Sequence, residues 1–203
     1  MTRIKFCGLT RLEDVQLAAS LGVDAIGFVM TRKSKRFVEP DAAARLRDAI
    51  PPYVTTVALV MDDEPAYIDD VLRILRPDML QFHGGETDDE CAAYGVRYTK
   101  AIAMGEGAAA LERLHRYPGA AGLLLDGHGL GEQGGSGHRF DWSLMPKHFA
   151  QPLILAGGLS ADNVAEAIRV AQPWAVDVSS GIESSPGIKD RAKMERFISA
   201  VRR

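Results

Sequence analysis

Arg3-Ile4-Lys5-Phe6-Cys7-Gly8-Leu9-Thr10 reads as a short strand running into a turn, with a helix starting directly behind it. Thr10 is the expected N-cap, and Glu13, three residues on, completes a capping box ahead of Val15, Leu17, Ala18 and Leu21. The unit puts Cys7 at the C-terminal end of its strand. In a barrel of parallel strands, that is the end where chemistry is done. The other reading of Cys7 is a small buried hydrophobe.

The same strand-then-helix unit recurs along the chain at a spacing of roughly 25 residues. Strands are expected at Arg3–Cys7, Asp24–Val29, Val54–Val60, Met79–Phe82, Tyr98–Ala103, Gly122–Asp126, Leu153–Ala156 and Ala175–Val178. Val57-Ala58-Leu59-Val60, Leu123-Leu124-Leu125 and Leu153-Ile154-Leu155 are continuous apolar runs, the pattern of strands covered on both faces by helices. Helical patterns cover Thr10–Leu21, Asp41–Ala49, Glu64–Leu75, Asp88–Tyr94, Gly107–Tyr117, Ser160–Ala171 and Lys189–Val201, with only a short turn around Asp141–Met145 after the sixth strand. Eight such units in 203 residues predict an α/β fold, one (β/α)8 TIM-barrel domain spanning residues 1–203. An open doubly wound sheet of this length would usually have fewer strands.

The totals exclude several classes. A net charge of −3 offers no basic face for nucleic acid. No apolar run approaches the roughly 20 residues that span a bilayer, so no membrane partner is expected. Cys7 and Cys91 make no disulfide framework, and the first strand follows Met1-Thr2 without a signal-peptide pattern; both features suit the cytoplasm.

The strand ends carry the candidates for chemistry. After the second strand, Arg32-Lys33-Ser34-Lys35-Arg36 holds four cations in five residues, which favours an anionic ligand or a lid over a merely solvated loop. The fourth strand ends Gln81-Phe82-His83-Gly84, and the sixth brings Asp126 to the rim directly behind three leucines. Asp126 is either a working carboxyl group or the cap of the next turn. The segment from Gly127 to Gly137 has six glycines in eleven residues, suited to covering or lining a site. Ala156-Gly157-Gly158-Leu159-Ser160 and Ser179-Ser180-Gly181-Ile182 follow the last two strands. There, small residues let backbone N–H groups meet a phosphate. His83, His115, His128, His138 and His148 form no metal-binding spacing, so no metal is expected. No serine-nucleophile elbow is present.

Taken in order, these residues resemble the phosphoribosylanthranilate isomerase family of tryptophan biosynthesis. The resemblance rests on Lys5-Phe6-Cys7-Gly8-Leu9-Thr10, Leu80-Gln81-Phe82-His83-Gly84, Leu125-Asp126, Gly134-Gly135-Ser136-Gly137 with Phe140-Asp141-Trp142, Leu155-Ala156-Gly157-Gly158-Leu159 with Asn163-Val164, and Asp177-Val178-Ser179-Ser180-Gly181-Ile182-Glu183. It implies an Amadori rearrangement of N-(5-phosphoribosyl)anthranilate to 1-(2-carboxyphenylamino)-1-deoxyribulose 5-phosphate. By that resemblance Cys7 is the general base and Asp126 the general acid. Arg36 faces the anthranilate carboxylate, His83 is a substrate-binding residue, and Gly157, Gly158, Ser180 and Gly181 bind the phosphate. The partner implied is a small phosphoribosyl substrate, handled by a monomer or homodimer.

The chemistry makes demands on these groups. An acid must be protonated at working pH, whereas an ordinary Asp has a pKa of about 3.9; desolvation behind Leu123-Leu124-Leu125 and a nearby substrate phosphate are the expected correctives. A thiol near 8.5 needs a modest downward shift to serve as base. Lys5 shares the face of Cys7 two residues deeper and is a possible aid. No cofactor is expected, since the substrate forms its own iminium. A metal-dependent sugar-phosphate epimerase would need His and Asp ligands at several strand ends, and a phosphoribosyl sensor would need neither Cys7 nor Asp126.

Overall fold

The computed structural model describes residues 1–127 and 139–203. The segment holding His128, Gly134-Gly135-Ser136-Gly137 and His138 lies outside these described residues. Eight parallel strands close into a barrel in chain order: β1 (Arg3–Cys7), β2 (Ala25–Val29), β3 (Thr55–Val60), β4 (Met79–Phe82), β5 (Tyr98–Ala103), β6 (Gly122–Asp126), β7 (Leu153–Leu155) and β8 (Ala175–Val178). Helices α1 (Leu12–Ser20), α2 (Pro40–Arg47), α3 (Pro65–Leu75), α4 (Asp88–Ala92), α5 (Val164–Ala171) and α6 (Arg191–Val201) surround it. A 3₁₀ helix, Gly107–Arg116, stands where the pattern predicted an α-helix.

Strand alternation divides the apolar residues between two cores. Ile4, Phe6, Ile26, Phe28, Leu80, Phe82, Leu123 and Leu125 point outward and join the helices in the main core. Ala101, Leu124, Ile154, Ala156 and Ala175 form a separate small cluster inside the barrel. Of the three leucines that precede Asp126, only Leu124 therefore shares its face. Small interior residues leave room within the barrel for long polar side chains. α3 shows how the outer layer forms: Pro65 sets its first turn, Ile68, Val71 and Leu75 make one buried stripe, and Arg76 ends it in the left-handed region.

Two local expectations change. The N-cap of α1 is Arg11, with no side-chain cap; the Thr10 hydroxyl donates instead to the Gly187 carbonyl, 2.5 Å away. A tertiary partner has displaced the local one. That partner belongs to a short hairpin after β8, built from β9 (Glu183–Ser185) and β10 (Ile188–Lys189). The capping box that does form is at α4, where Thr87 and Glu90 bond reciprocally.

Phe197 of α6 is fully buried and meets the Phe6 ring edge-on, centroids 5.9 Å apart. Phe197→Ala is expected to cost about 3–5 kcal/mol in urea unfolding, because the barrel wall behind Phe6 cannot collapse into the gap.

Candidate active site

One pocket at the C-terminal ends of the strands gathers nearly all the residues singled out from the sequence. Cys7, Arg36, His83, Asp126, Gly157, Gly158 and Ser180 line it, along with Thr31, Ser34, Gln81, Asp177 and Ser179. The pocket opens to solvent at the mouth of the barrel. Gly181 is the exception: it does not line the pocket. A Cβ there would lie 1.9 Å from the Leu159 carbonyl oxygen, so Gly181 lets the β8 turn pack directly on the β7 turn.

Beneath Cys7 sits a buried ammonium. Lys5 Nζ donates to Asp177 Oδ2 and to Gln81 Oε1, both at 3.0 Å, and also reaches the Cys7 thiol. Register explains the first contact, because Lys5 pairs with Asp177 across β1 and β8. Space explains the last. Gly27 pairs with Cys7 across β1 and β2, and a Cβ on it would lie 2.9 Å from Cys7 Sγ and 3.0 Å from Lys5 Cε. Burial weighs against the charge on Lys5, but the Asp177 carboxylate and the Cys7 sulfur outweigh it and raise its pKa. For Cys7 the balance differs from the modest downward shift expected. Burial pushes the thiol up, and Lys5 offsets this only in part, with Asp177 acting against it.

On the far side of the pocket, His83 and Asp126 are both buried, with His83 Nε2 3.6 Å from Asp126 Oδ2. Gln81 Nε2 lies 3.3 Å from His83 Nδ1, so polar contacts run from Lys5 through Gln81 to His83. Of the four cations after β2, only Arg36 faces the pocket. Its Nε and Nη2 donate to the two carboxylate oxygens of Glu183, each at 2.8 Å. The bidentate fork is thus already engaged, and a ligand carboxylate would meet the remaining Nη1 end. Burial alone would raise the Glu183 pKa, but bonds from Arg36 and Lys189 reverse this and hold it below the usual carboxylate range.

The β7 and β8 turns line the pocket with backbone. Gly157 and Gly158 both have positive φ. Among the described residues, the N–H groups of Gly157, Gly158 and Ser180 donate to no other protein group. α5 begins only at Val164, held back by Asn163, whose side chain bonds Ser160 N and the Gly158 carbonyl. The turn after β8 opens a 3₁₀ turn of three residues, not an α-helix. Amides, more than helix ends, face the ligand space. Sequence reading did not single out Gln81, Asp177 and Glu183 as site residues. The signal for the first two was available in strand alternation: Gln81 stands two residues before His83, and Asp177 two before Ser179.

Fold and pocket together define the class: a (β/α)8-barrel enzyme with its polar side chains gathered at the C-terminal mouth. The particular family follows from comparison. Residues 4–200 match the family model of N-(5'phosphoribosyl)anthranilate (PRA) isomerase. An N-(5'-phosphoribosyl)anthranilate isomerase of Stenotrophomonas maltophilia (strain R551-3) is 50% identical over 204 residues, covering 100% of this chain and 94% of that one. The crystal structure of phosphoribosyl anthranilate isomerase from Thermotoga maritima superposes with a TM-score of 0.91 at 39% identity, covering 100% of this chain and 99% of that one. A structure of such an isomerase in complex with reduced 1-(o-carboxyphenylamino)-1-deoxyribulose 5-phosphate has a TM-score of 0.88 at 37% identity, with coverage of 100% and 99%. The chain belongs to the PRA isomerase family.

Gly27→Ala tests the space shared by Lys5 and Cys7. The added methyl group is expected to part them and so remove the cation's help to the thiolate. Iodoacetamide labelling of Cys7, which tracks thiolate, should still be rising with pH above about 8.5 in the parent and be slower at each pH in the variant. Cys91, buried and pushed up to about 12, provides the silent background.

Proposed function

We propose that this chain isomerises N-(5'-phosphoribosyl)anthranilate to 1-(2-carboxyphenylamino)-1-deoxyribulose 5-phosphate, with Asp126 as general acid and Cys7 as general base. The isomerase activity, a step of tryptophan biosynthesis, follows from family membership; the residue roles are our reading of the pocket. The observation that carries it is the order of the strands around the closed barrel. β7 and β8 lie between β6, which ends in Asp126, and β1, which ends in Cys7. A phosphate held by the amides of Gly157, Gly158 and Ser180 therefore fixes a sugar that has the acid on one side and the base on the other. Arg36, after β2, is placed for the anthranilate carboxylate at the opposite end of the same ligand. His83, after β4, lies beside the acid and completes the wall around the sugar.

The steps then use groups already in place. Asp126 gives its proton to the furanose ring oxygen as the C1–O bond breaks, leaving an iminium at C1. Cys7 as thiolate removes the proton from C2, now acidified by that iminium, and the electron pair forms the enolamine. Tautomerisation completes the reaction: C1 gains the proton held by Cys7 and the C2 hydroxyl loses its proton to the Asp126 carboxylate, which gives the ketone and restores both groups. Lys5 favours the thiolate form of Cys7, and the low exposure of the acid strengthens every charge interaction in the pocket. Among the described residues no helix is long and apolar enough to cross a membrane. Two free cysteines, one of them in the catalytic pocket, fit a cytoplasmic setting.

Asp126→Asn decides between an acid and a turn cap. The amide preserves local hydrogen bonding but cannot deliver the proton, so kcat should fall at least about 10²–10⁴-fold while urea unfolding is unchanged. A small kinetic loss would remove Asp126 from the chemistry. For Arg36→Met the expectation is a higher KM with a lesser change in kcat, measured by the loss of substrate fluorescence. An unchanged KM would assign the carboxylate to another residue.

A further inference from the structure

We propose that Gln81 is a positioning residue that fixes the proton of neutral His83 on Nε2, facing Asp126. The Lys5 ammonium has three donors and no acceptor. The Gln81 atom 3.0 Å from Lys5 Nζ must therefore be the amide oxygen, whichever way the amide was first drawn. Gln81 is almost completely buried, at 1% exposure, and its amide is planar, so its NH₂ group is committed to the other direction. There it meets His83 Nδ1 at 3.3 Å. An NH₂ group only donates, so Nδ1 presents its lone pair, and the single ring proton of a neutral imidazole resides on Nε2. The orientation of one buried cation is thus transmitted through one amide to the tautomer of a histidine across the barrel.

The consequence for turnover rests on the reading of Asp126 as the acid. His83 Nε2 lies 3.6 Å from Asp126 Oδ2, with both residues buried. A bare Nε2 lone pair in that place would accept the acid's proton and leave a carboxylate unable to protonate the sugar. An Nε2–H instead turns a positive hydrogen toward Oδ2, an electrostatic contact at 3.6 Å, and offers no lone pair to take the acid's proton. Gln81 on β4 and His83 directly after it stand two residues apart and so share the inward face, which is how one stretch of chain supplies both parts of the device.

The test is the protonation pattern of His83, read by long-range ¹H–¹⁵N correlation on protein labelled at histidine, with His83→Asn identifying the signals. In the parent protein at neutral pH, Nδ1 is expected unprotonated and Nε2 protonated. An unconstrained imidazole also populates that form, so Gln81→Glu is the discriminating arm. Its carboxylate accepts from Lys5 and from the ring alike, and Nδ1 should gain a proton. Gln81→Met removes the contact, and His83 should then report an average over both tautomers; this arm serves if the Glu variant does not fold. A protonated Nδ1 in the parent, or a ring pattern indifferent to both substitutions, overturns the proposal. With the tautomer changed as expected, kcat of Gln81→Glu should fall tenfold or more with KM little altered. An unchanged kcat beside a changed tautomer would leave the positioning of His83 standing and contradict the assignment of Asp126 as acid.

Discussion

Lys5 places an ammonium inside the barrel at 7% exposure, and much of the site is arranged around it. Burying an unpaired cation costs several kcal/mol, so the interior must supply partners. It supplies Asp177 from the neighbouring strand, Gln81 from across the barrel and the thiol of Cys7 above. The Asp177 contact exists only because β8 closes against β1. Barrel closure and charge compensation are therefore one requirement. The same requirement accounts for Gly27, whose missing side chain is the space that Lys5 and Cys7 share.

A second charged group ties the rim together. Glu183, in the hairpin after β8, binds Arg36 from the loop after β2 and also Lys189 at 2.8 Å. Thr10 joins the same hairpin through Gly187. The segments on either side of β1 are thereby clamped over Cys7. Removing any one of these charges would leave the others buried without a full set of partners, so the three act as one unit at the rim. Opposite this clamp the pocket wall is backbone, at Gly157, Gly158 and Ser180. One end of the ligand space thus offers a fixed guanidinium, the other a set of amides, and the titratable groups stand between.

The fold was legible because its signals are local. The limits of β1, β4, β5, β6 and β8 match the apolar and alternating stretches read as strands, and β2, β3 and β7 differ from expectation by one residue at one end. At Asp24 the reason is plain: its side chain accepts from Ile4 N, taking the place of a strand bond. The positions of Cys7, Asp126 and the two glycine turns could be inferred because each ends a strand or follows one closely. What escaped local reading depends on contacts far apart in sequence. Gln81 lies 76 residues from Lys5, and Glu183 lies 147 from Arg36. Thr10 looks like a cap to its own helix until the hairpin arrives from the other end of the chain. Gly181 reads as a phosphate ligand, and the structure adds a packing reason for the glycine, since a Cβ there would meet the Leu159 carbonyl; a glycine motif does not display that second demand.

The measurement that bears most directly on the account is a crystal structure of this protein with reduced 1-(o-carboxyphenylamino)-1-deoxyribulose 5-phosphate bound. The account predicts phosphate oxygens within hydrogen-bond reach of the Gly157, Gly158 and Ser180 amides and the ligand carboxylate at the Nη1 end of Arg36. It also predicts C2 beside Cys7 Sγ, with the oxygen derived from the sugar ring on the side of Asp126. A phosphate seated elsewhere, or a sugar that leaves Cys7 and Asp126 on the same side of the reacting carbons, would contradict it.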